Sequence, residues 1–148
     1  MKLRIMLADD HALFREALGL FLQAQPDMEV VAEAADGQGV LLRVGECSVD
    51  VVCMDIGMRG LSGIETTREL LRCQPGVRVV ALSAHIDLAR VAAMVAAGAL
   101  GYVVKGSGGT ELLAAIRAAS CGQNYFDSAL CIQDVAELAA QAGPEAEE

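Results

Sequence analysis

The chain has 148 residues, of which 54% are hydrophobic and only 3% aromatic, with no tryptophan. This is enough apolar material for one domain with a substantial core, and its Ala-, Val- and Leu-rich character argues against a small aromatic-centred barrel. The net charge of −9, with no basic stripe along the chain, argues against direct DNA binding through counterion release.

Short apolar runs alternate with segments of helical spacing. The runs lie at residues 3–8, 29–34, 50–55, 77–84 and 101–105. Four of the five are rich in Val or Ile, as strands are. Helical stripes lie at residues 14–21, 38–46, 62–73, 87–97 and 109–120, with Leu13 and Leu20 widening the first stripe. Five strand–helix repeats predict an α/β fold with a doubly wound, five-stranded parallel sheet covered on both faces.

The rhythm changes after the fifth repeat. Residues 1–122 form the predicted domain, and residues 123–148 form a linker in which 128–141 has a modest helical stripe. Residues 127–148 carry six acids and no base. We expect a short C-terminal helical extension that ends in a solvated acidic tail.

Compartment can be inferred from the cysteines and from hydropathy. Cysteines 47, 53, 73, 121 and 131 form no CxxC motif, which favours reduced thiols in a cytosolic protein. No secretory signal is visible, and the longest uncharged run, residues 91–104, is too short to span a bilayer. We therefore expect a soluble cytoplasmic protein that does not bind membranes.

Polar side chains stand where the predicted strands end. Asp9 and Asp10 follow the first strand, Asp55 ends the third, Ser83 ends the fourth and Lys105 ends the fifth. In an open parallel sheet, ligands bind outside the carboxyl ends of the strands. These five residues are therefore the candidate site.

The chemistry of this set points to phosphoryl transfer. Three carboxylates within ~4–6 Å repel one another by a few kcal/mol per pair, so a cation must compensate them. A few hard oxygen ligands suit Mg²⁺. With Lys105 as a fixed positive charge, Asp55 could act as a carboxylate nucleophile toward phosphorus.

Four segments carry a family resemblance: "MLADDHALFREAL", "VVCMDIGMRGLSGIE", "VVALSAH" and "GALGYVVK". They resemble a response-regulator receiver domain over about residues 1–122, and most closely regulators with a LuxR-type helix-turn-helix output. The resemblance implies a flavodoxin-like strand order, 2-1-3-4-5. It also implies a phosphoacceptor switch rather than an enzyme with turnover.

The resemblance assigns the metal site. Asp55 would be the phosphoacceptor and a Mg²⁺ ligand. Asp10 would bind the metal directly, and Asp9 largely through water. The backbone carbonyl of Gly57 would complete the site.

The resemblance also assigns the switch. Ser83 would contact the phosphoryl group, Lys105 would pair with it, and Tyr102 would turn inward on activation. Arg59 stands where the family commonly has proline, which would loosen the loop beyond Asp55.

The function implied is a receiver that accepts a phosphoryl group from a histidine kinase and then changes a homodimer interface. DNA would be bound only through a C-terminal domain absent from this chain. The alternative is a stand-alone receiver that acts through protein contacts. An aspartate-nucleophile phosphatase would need an acid at position 57, which is Gly, and the acids of "ADDH" would repel the phosphate of a flavin.

Overall fold

The computed structural model describes residues 1–58 and 60–130, which alternate between strands and helices. The strands are β1 (Leu3–Ala8), β2 (Met28–Ala34), β3 (Val51–Asp55), β4 (Arg78–Ser83), β5 (Gly101–Val104) and β6 (Tyr125–Phe126). The helices are α1 (Ala12–Gln23), α2 (Gly37–Glu46), α3 (Gly63–Cys73), α4 (Leu88–Ala97) and α5 (Gly109–Ser120). A single 3-10 turn, Lys105–Ser107, joins β5 to α5.

The strands form one parallel sheet in the order β2-β1-β3-β4-β5-β6. The predicted α/β class, parallel sheet and order 2-1-3-4-5 are therefore confirmed. The two-residue strand β6 was not predicted, because two residues carry no periodicity. It pairs with the start of β5 through the backbone N–H of Tyr125, which donates to the carbonyl of Leu100 at 2.9 Å.

The sheet separates two apolar cores. On one face Val40, Leu70 and Met94 bring α2, α3 and α4 onto the sheet. On the other face Leu22 and Ile116 do the same for α1 and α5. Every residue of β3 is buried, which explains why that strand reads as an unbroken apolar run.

Side-chain caps fix where three helices begin. Asp36 accepts from the backbone N–H of Gly39 at 2.7 Å, and Asp87 caps the first turn of α4. Ser62 and Glu65 form a reciprocal capping box at the start of α3. These caps hold the loops that follow β2, β3 and β4, at the same end of the sheet as the candidate site.

Two sequence predictions need correction or restriction. Leu13 and Leu20 do not widen the buried stripe of α1, since they are 81% and 72% exposed. The helix packs on the sheet through Phe14, Leu18 and Leu22, which recur every four residues. Of the predicted helix 128–141, residues 128–130 form a turn and bend, and the rest lies outside the described residues.

Membrane insertion through a long helix finds no support among residues 1–58 and 60–130. None of the helices there combines the length and the hydropathy needed to cross a bilayer. The division into 1–122 and 123–148 stays a prediction.

Candidate functional site

Strand register brings the candidate residues to one edge of the sheet. Ala8 pairs with Met54, so Asp9 and Asp55 follow at the same level. Asp55 pairs with Leu82, the residue before Ser83, and Ser83 in turn pairs with Val104, the residue before Lys105. Four distant segments therefore end side by side.

Lys105 bridges two buried carboxylates. Its ammonium nitrogen lies 2.7 Å from Asp9 Oδ2 and 3.7 Å from Asp55 Oδ1. The side chains of Lys105, Asp9 and Asp55 are only 13%, 3% and 5% exposed. Water screens these charges little, so removing Lys105 would leave two buried carboxylates without their shared positive charge.

Phe14 covers the outer side of this lysine. The Lys105 ammonium lies 4.5 Å from the centre of the Phe14 ring, a cation–π distance. The sequence pattern placed Phe14 only in the apolar stripe of α1. Its second role depends on how α1 lies against the loop after β5, which helical periodicity does not specify.

Asp9 is held as a carboxylate by several donors. The backbone N–H of His11 donates to Oδ1 at 2.8 Å, and the imidazole Nδ1 of His11 lies 3.0 Å from the same oxygen. Burial raises the pKa of Asp9, but the hydrogen bonds from Lys105 and His11 and the lysine charge outweigh it and lower the pKa overall. The guanidinium of Arg15 also donates to the Asp9 backbone carbonyl.

Asp55 has fewer hydrogen-bond donors than Asp9. Its Oδ1 accepts one hydrogen bond, from the backbone N–H of Gly57 at 3.2 Å, and its buried Oδ2 has no hydrogen-bond partner among the described residues. Burial, and next the charge of Asp9, raise the pKa of Asp55, and Lys105 offsets only part of this. The unmatched oxygen is the one available for chemistry.

The acids fit a divalent cation. Ligand atoms from Asp9, Asp10, His11 and Asp55 lie within 4.8 Å of one another. Within the described part of the chain, neither Asp10 Oδ1 nor Asp55 Oδ2, both buried, has a hydrogen-bond partner. Buried carboxylate oxygens without donors are what a hard cation such as Mg²⁺ would satisfy. His11 is the N-cap residue of α1. Its Nδ1 lies 3.0 Å from Asp9 Oδ1 and 3.3 Å from Asp10 Oδ1, and the second contact is an approach of charges without hydrogen-bond geometry.

Ser83 lies at the same edge of the sheet but does not bond to this cluster, and Tyr102 lies in the apolar core near Ser83. The Ser83 hydroxyl donates to the carbonyl of His85 at 2.8 Å and accepts from its N–H at 3.2 Å, closing a local turn. Tyr102 is already buried at 1% exposure. Burial raises the pKa of Tyr102, and the nearby Ser83 hydroxyl lowers it by a smaller amount. The Tyr102 hydroxyl has no hydrogen bond of normal geometry to the described residues.

The sequence of this chain matches a known family. Residues 5–117 match the response regulator receiver domain family. The chain belongs to the response regulator receiver domain family. The resemblance seen in the sequence is therefore confirmed, including its LuxR-type character, which the solved structures below support.

Several relatives are similar to this receiver. The transcriptional regulatory protein LiaR of Bacillus subtilis is 44% identical over 127 residues, which cover 85% of this chain and 60% of LiaR. The response regulator GacA of Pseudomonas viridiflava is 36% identical, over 88% of this chain and 61% of GacA. A LuxR-family response regulator from Aurantimonas is 34% identical, covers all of both chains and has a TM-score of 0.82.

The receiver spans about three fifths of the length of these two curated relatives. Both are named as regulators, LiaR of transcription, which agrees with the predicted class of protein and with a role other than metabolic enzyme. Arg59, the departure from the family pattern in the loop after Asp55, lies outside the described residues.

Proposed function

We propose that this receiver accepts a phosphoryl group on Asp55 from the phosphohistidine of a histidine kinase, and that the modification switches its surface. The observation that carries the proposal is the bridge made by Lys105 between Asp9 and Asp55, together with the unpartnered Oδ2 of Asp55 among the described residues. A structural carboxylate would have its oxygens matched by donors.

The proposed step is a phosphoryl transfer between two side chains. An oxygen of the Asp55 carboxylate attacks phosphorus, the P–N bond of the phosphohistidine breaks, and the imidazole leaves with the bonding electrons. The product is an acyl phosphate, which water later converts to phosphate and the free carboxylate. The raised pKa of Asp55 makes its carboxylate oxygen a better nucleophile, while the charge of Lys105 favours the ionised form.

Mg²⁺ would be held by Asp10 and Asp55 directly, by Asp9 largely through water, and by the carbonyl of Gly57. When bound, it supplies positive charge for the oxygens of the transferring group. The pairing of Asp9 with Lys105 supports an indirect role for Asp9, since the oxygen nearest the ammonium is already occupied.

Lys105 and Ser83 would then reorganise around the new group. Lys105 lies 1.0 Å closer to Asp9 than to Asp55, by the 2.7 and 3.7 Å distances, and a phosphoryl group on Asp55 would attract it. Ser83 would exchange its bond to His85 for one to a phosphoryl oxygen. Tyr102, which is already buried beside Ser83, would be held in that inward position, and the face formed by α4, β5 and α5 would change.

The output would be transcription control by a homodimer. A DNA-binding domain beyond this chain would supply the DNA contact, in keeping with the length and the regulator name of LiaR. Exposed Leu13 and Leu20 on α1 are apolar groups that a dimer or a kinase could cover. A stand-alone receiver remains the alternative, and the gene sequence after residue 148 separates the two.

The deciding experiment is labelling with radioactive acetyl phosphate and Mg²⁺. We expect Asp55→Asn to abolish the label and Asp50→Asn, a carboxylate at the other end of the sheet, to retain it. Circular dichroism establishes that both variants fold. Undiminished labelling of folded Asp55→Asn would place the acceptor elsewhere.

A further inference from the structure

Strand β6 and the residues after it are fastened to β5 through one buried carboxylate. Asp127 is 1% exposed. Its Oδ2 accepts from the backbone N–H of Val104 at 2.9 Å, and its Oδ1 accepts from the backbone N–H of Ala129 at 2.9 Å. The same carboxylate therefore holds both the end of β5 and residue Ala129, close to the end of the described residues.

The backbone of Asp127 makes the same connection a second time. Its N–H donates to the carbonyl of Tyr102 at 2.9 Å, and its carbonyl accepts from the N–H of Leu130 at 2.9 Å. Leu130 is 8% exposed and belongs to the apolar core that contains Tyr102. Four hydrogen bonds thus converge on one residue, two from each side.

A buried carboxylate is a costly way to hold two backbone amides. No cation among residues 1–58 and 60–130 forms an ion pair with Asp127, so its charge is compensated by N–H dipoles. Charge-assisted hydrogen bonds are short, strong and directional. The bond from Val104 to Asp127 fixes the position of the Val104 backbone, and Val104 directly precedes Lys105.

We propose that Asp127 is the positioning residue that joins the phosphoacceptor site to the C-terminal segment. It fixes the end of β5 and therefore the backbone position from which the Lys105 side chain extends. If phosphorylation displaces that backbone, the Asp127 carboxylate transmits the displacement to Ala129 and Leu130. The inference rests on the proposed function, because it assigns a route out of the same site.

Glu111 provides a matched control. It also anchors the segment, because it accepts from the backbone N–H of Ser128 at 2.7 Å and from the hydroxyl of Tyr125. Glu111 lies in the first turn of α5, and neither of these bonds reaches β5. Glu111 also interacts with the side chain of Asp127. Glu111→Gln keeps an acceptor oxygen there, so it should loosen the segment while leaving the hydrogen bond between Asp127 and the Val104 backbone in place.

The test is a titration with beryllium fluoride and Mg²⁺, followed through backbone amide resonances. Beryllium fluoride forms a phosphoryl-like adduct with a carboxylate. In the wild type we expect the amides of Gly57, Val104 and Ala129 to shift with a common midpoint. In Asp127→Asn, which keeps one acceptor oxygen, we expect the Gly57 midpoint to rise about three- to tenfold and the Ala129 shift to be lost.

The outcomes separate the two proposals. In Glu111→Gln the Gly57 midpoint should stay within about twofold of the wild type while the Ser128 amide exchanges faster. If the Gly57 amide of the wild type shifts and the Ala129 amide does not, the Asp127 proposal alone is overturned. It is also overturned if Asp127→Asn and Glu111→Gln raise the Gly57 midpoint equally. A wild type in which Gly57 itself does not shift would overturn the phosphoacceptor proposal. The wild-type titration decides even if Asp127→Asn fails to fold.

Discussion

The two ends of the sheet use charge differently. At the carboxyl end, Asp9 and Asp55 are almost fully buried and share one lysine. At the amino end, Asp50 accepts from the backbone N–H of Arg4 at 2.9 Å, and Arg4 contacts Glu29 at 3.8 Å with both side chains more than a third exposed. Both ends contain acids and bases within ion-pair distance.

The difference lies in solvent and in matching. Exposed ion pairs contribute about 0–1 kcal/mol each, so removing a charge at the amino end should change the free energy of unfolding little. The buried carboxylates at the carboxyl end cost several kcal/mol to desolvate, and Oδ2 of Asp55 there has no hydrogen-bond partner among the described residues. If Asp55 reacts as proposed, the carboxyl end keeps it available at a cost in stability, whereas the charged side chains of Arg4 and Glu29 at the amino end stay in contact with water.

The largest predicted effect comes from Lys105→Met, which removes the shared charge and keeps the aliphatic stem. We expect acetyl-phosphate labelling of Asp55 to slow by about 100-fold or more. We also expect the free energy of unfolding to fall by about 3 kcal/mol, because Asp9 loses its buried partner. Labelling rates and urea denaturation measure the two effects.

Arg4→Met is the control at the amino end. The backbone contacts of Arg4 persist, so the free energy of unfolding should change by about 1 kcal/mol or less, with labelling unaffected. Equal losses of stability in the two variants would contradict the contrast between the ends.

The next effect concerns the backbone beneath Asp55. A Cβ on Gly63 would lie 2.5 Å from the Asp55 carbonyl oxygen and 2.7 Å from Ile56 Cα. Backbone atoms cannot rotate away, so Gly63→Ala should cost about 1–3 kcal/mol and displace Asp55. Amide shifts of Gly57 and urea denaturation report the two consequences.

Gly76 supplies the matched comparison, since it lies in the loop before β4. A Cβ there would meet no described atom within 4 Å, so Gly76→Ala should stay within about 0.5 kcal/mol of the wild type. A Gly63→Ala variant as stable as Gly76→Ala would show that the β3–α3 junction yields more than its geometry suggests.

A smaller effect, of opposite sign, is expected for Asp55→Asn. Burial first, and then Asp9, raise the pKa of Asp55, so its ionisation opposes folding at neutral pH. The stability associated with neutral Asp55 is present below the unfolded pKa and is lost as pH rises through the folded pKa. Without Mg²⁺ at pH 7, Asp55→Asn should therefore gain about 1 kcal/mol.

Two comparisons check this prediction. The gain should vanish in acid, where wild-type Asp55 is protonated, and should shrink when Mg²⁺ stabilises the wild type. Asp50→Asn keeps an acceptor for the Arg4 amide, so it should change the free energy of unfolding by only about 0.5 kcal/mol. A loss of stability in Asp55→Asn would show that its carboxylate is structurally matched after all.

Sequence reasoning predicted the elements and the site for the same reason. Buried parallel strands are short and apolar, so a charge at the end of one, such as Asp55, stands out. The convergence of Asp9, Asp55 and Lys105 then follows from parallel register alone. No knowledge of side-chain packing was needed.

The features that were missed depend on tertiary placement. The outward orientation of Leu13 and Leu20, and the contact of Phe14 with Lys105, depend on how α1 rotates on the sheet. The buried role of Asp127 depends on β6, which is too short to show a period. An acid in a turn-rich stretch carries no mark that distinguishes it from a solvated one.

The smallest predicted effect concerns Glu111, whose carboxylate differs from that of Asp55 in how its pKa is shifted. Hydrogen bonds from Tyr125 and then Ser128 lower the pKa of Glu111 from 4.5 to about 2, and Glu111 in turn raises the pKa of Tyr125 to about 12. The stability that Glu111 contributes is present above 4.5 and is lost as pH falls toward about 2. The contribution of Tyr125 is present below 10 and is lost as pH rises toward about 12.

Urea denaturation of wild type and Glu111→Gln across pH checks this. The advantage of the wild type should shrink in acid and again in alkali, whereas the advantage of Asp55→Asn over the wild type disappears only in acid. Protonation thus removes the contribution of Glu111 to the free energy of unfolding. Protonation of Asp55 instead removes the destabilisation caused by its buried charge. If Glu111→Gln and Asp55→Asn shifted acid stability in the same direction, the distinction between structural and reactive acids in this receiver would fail.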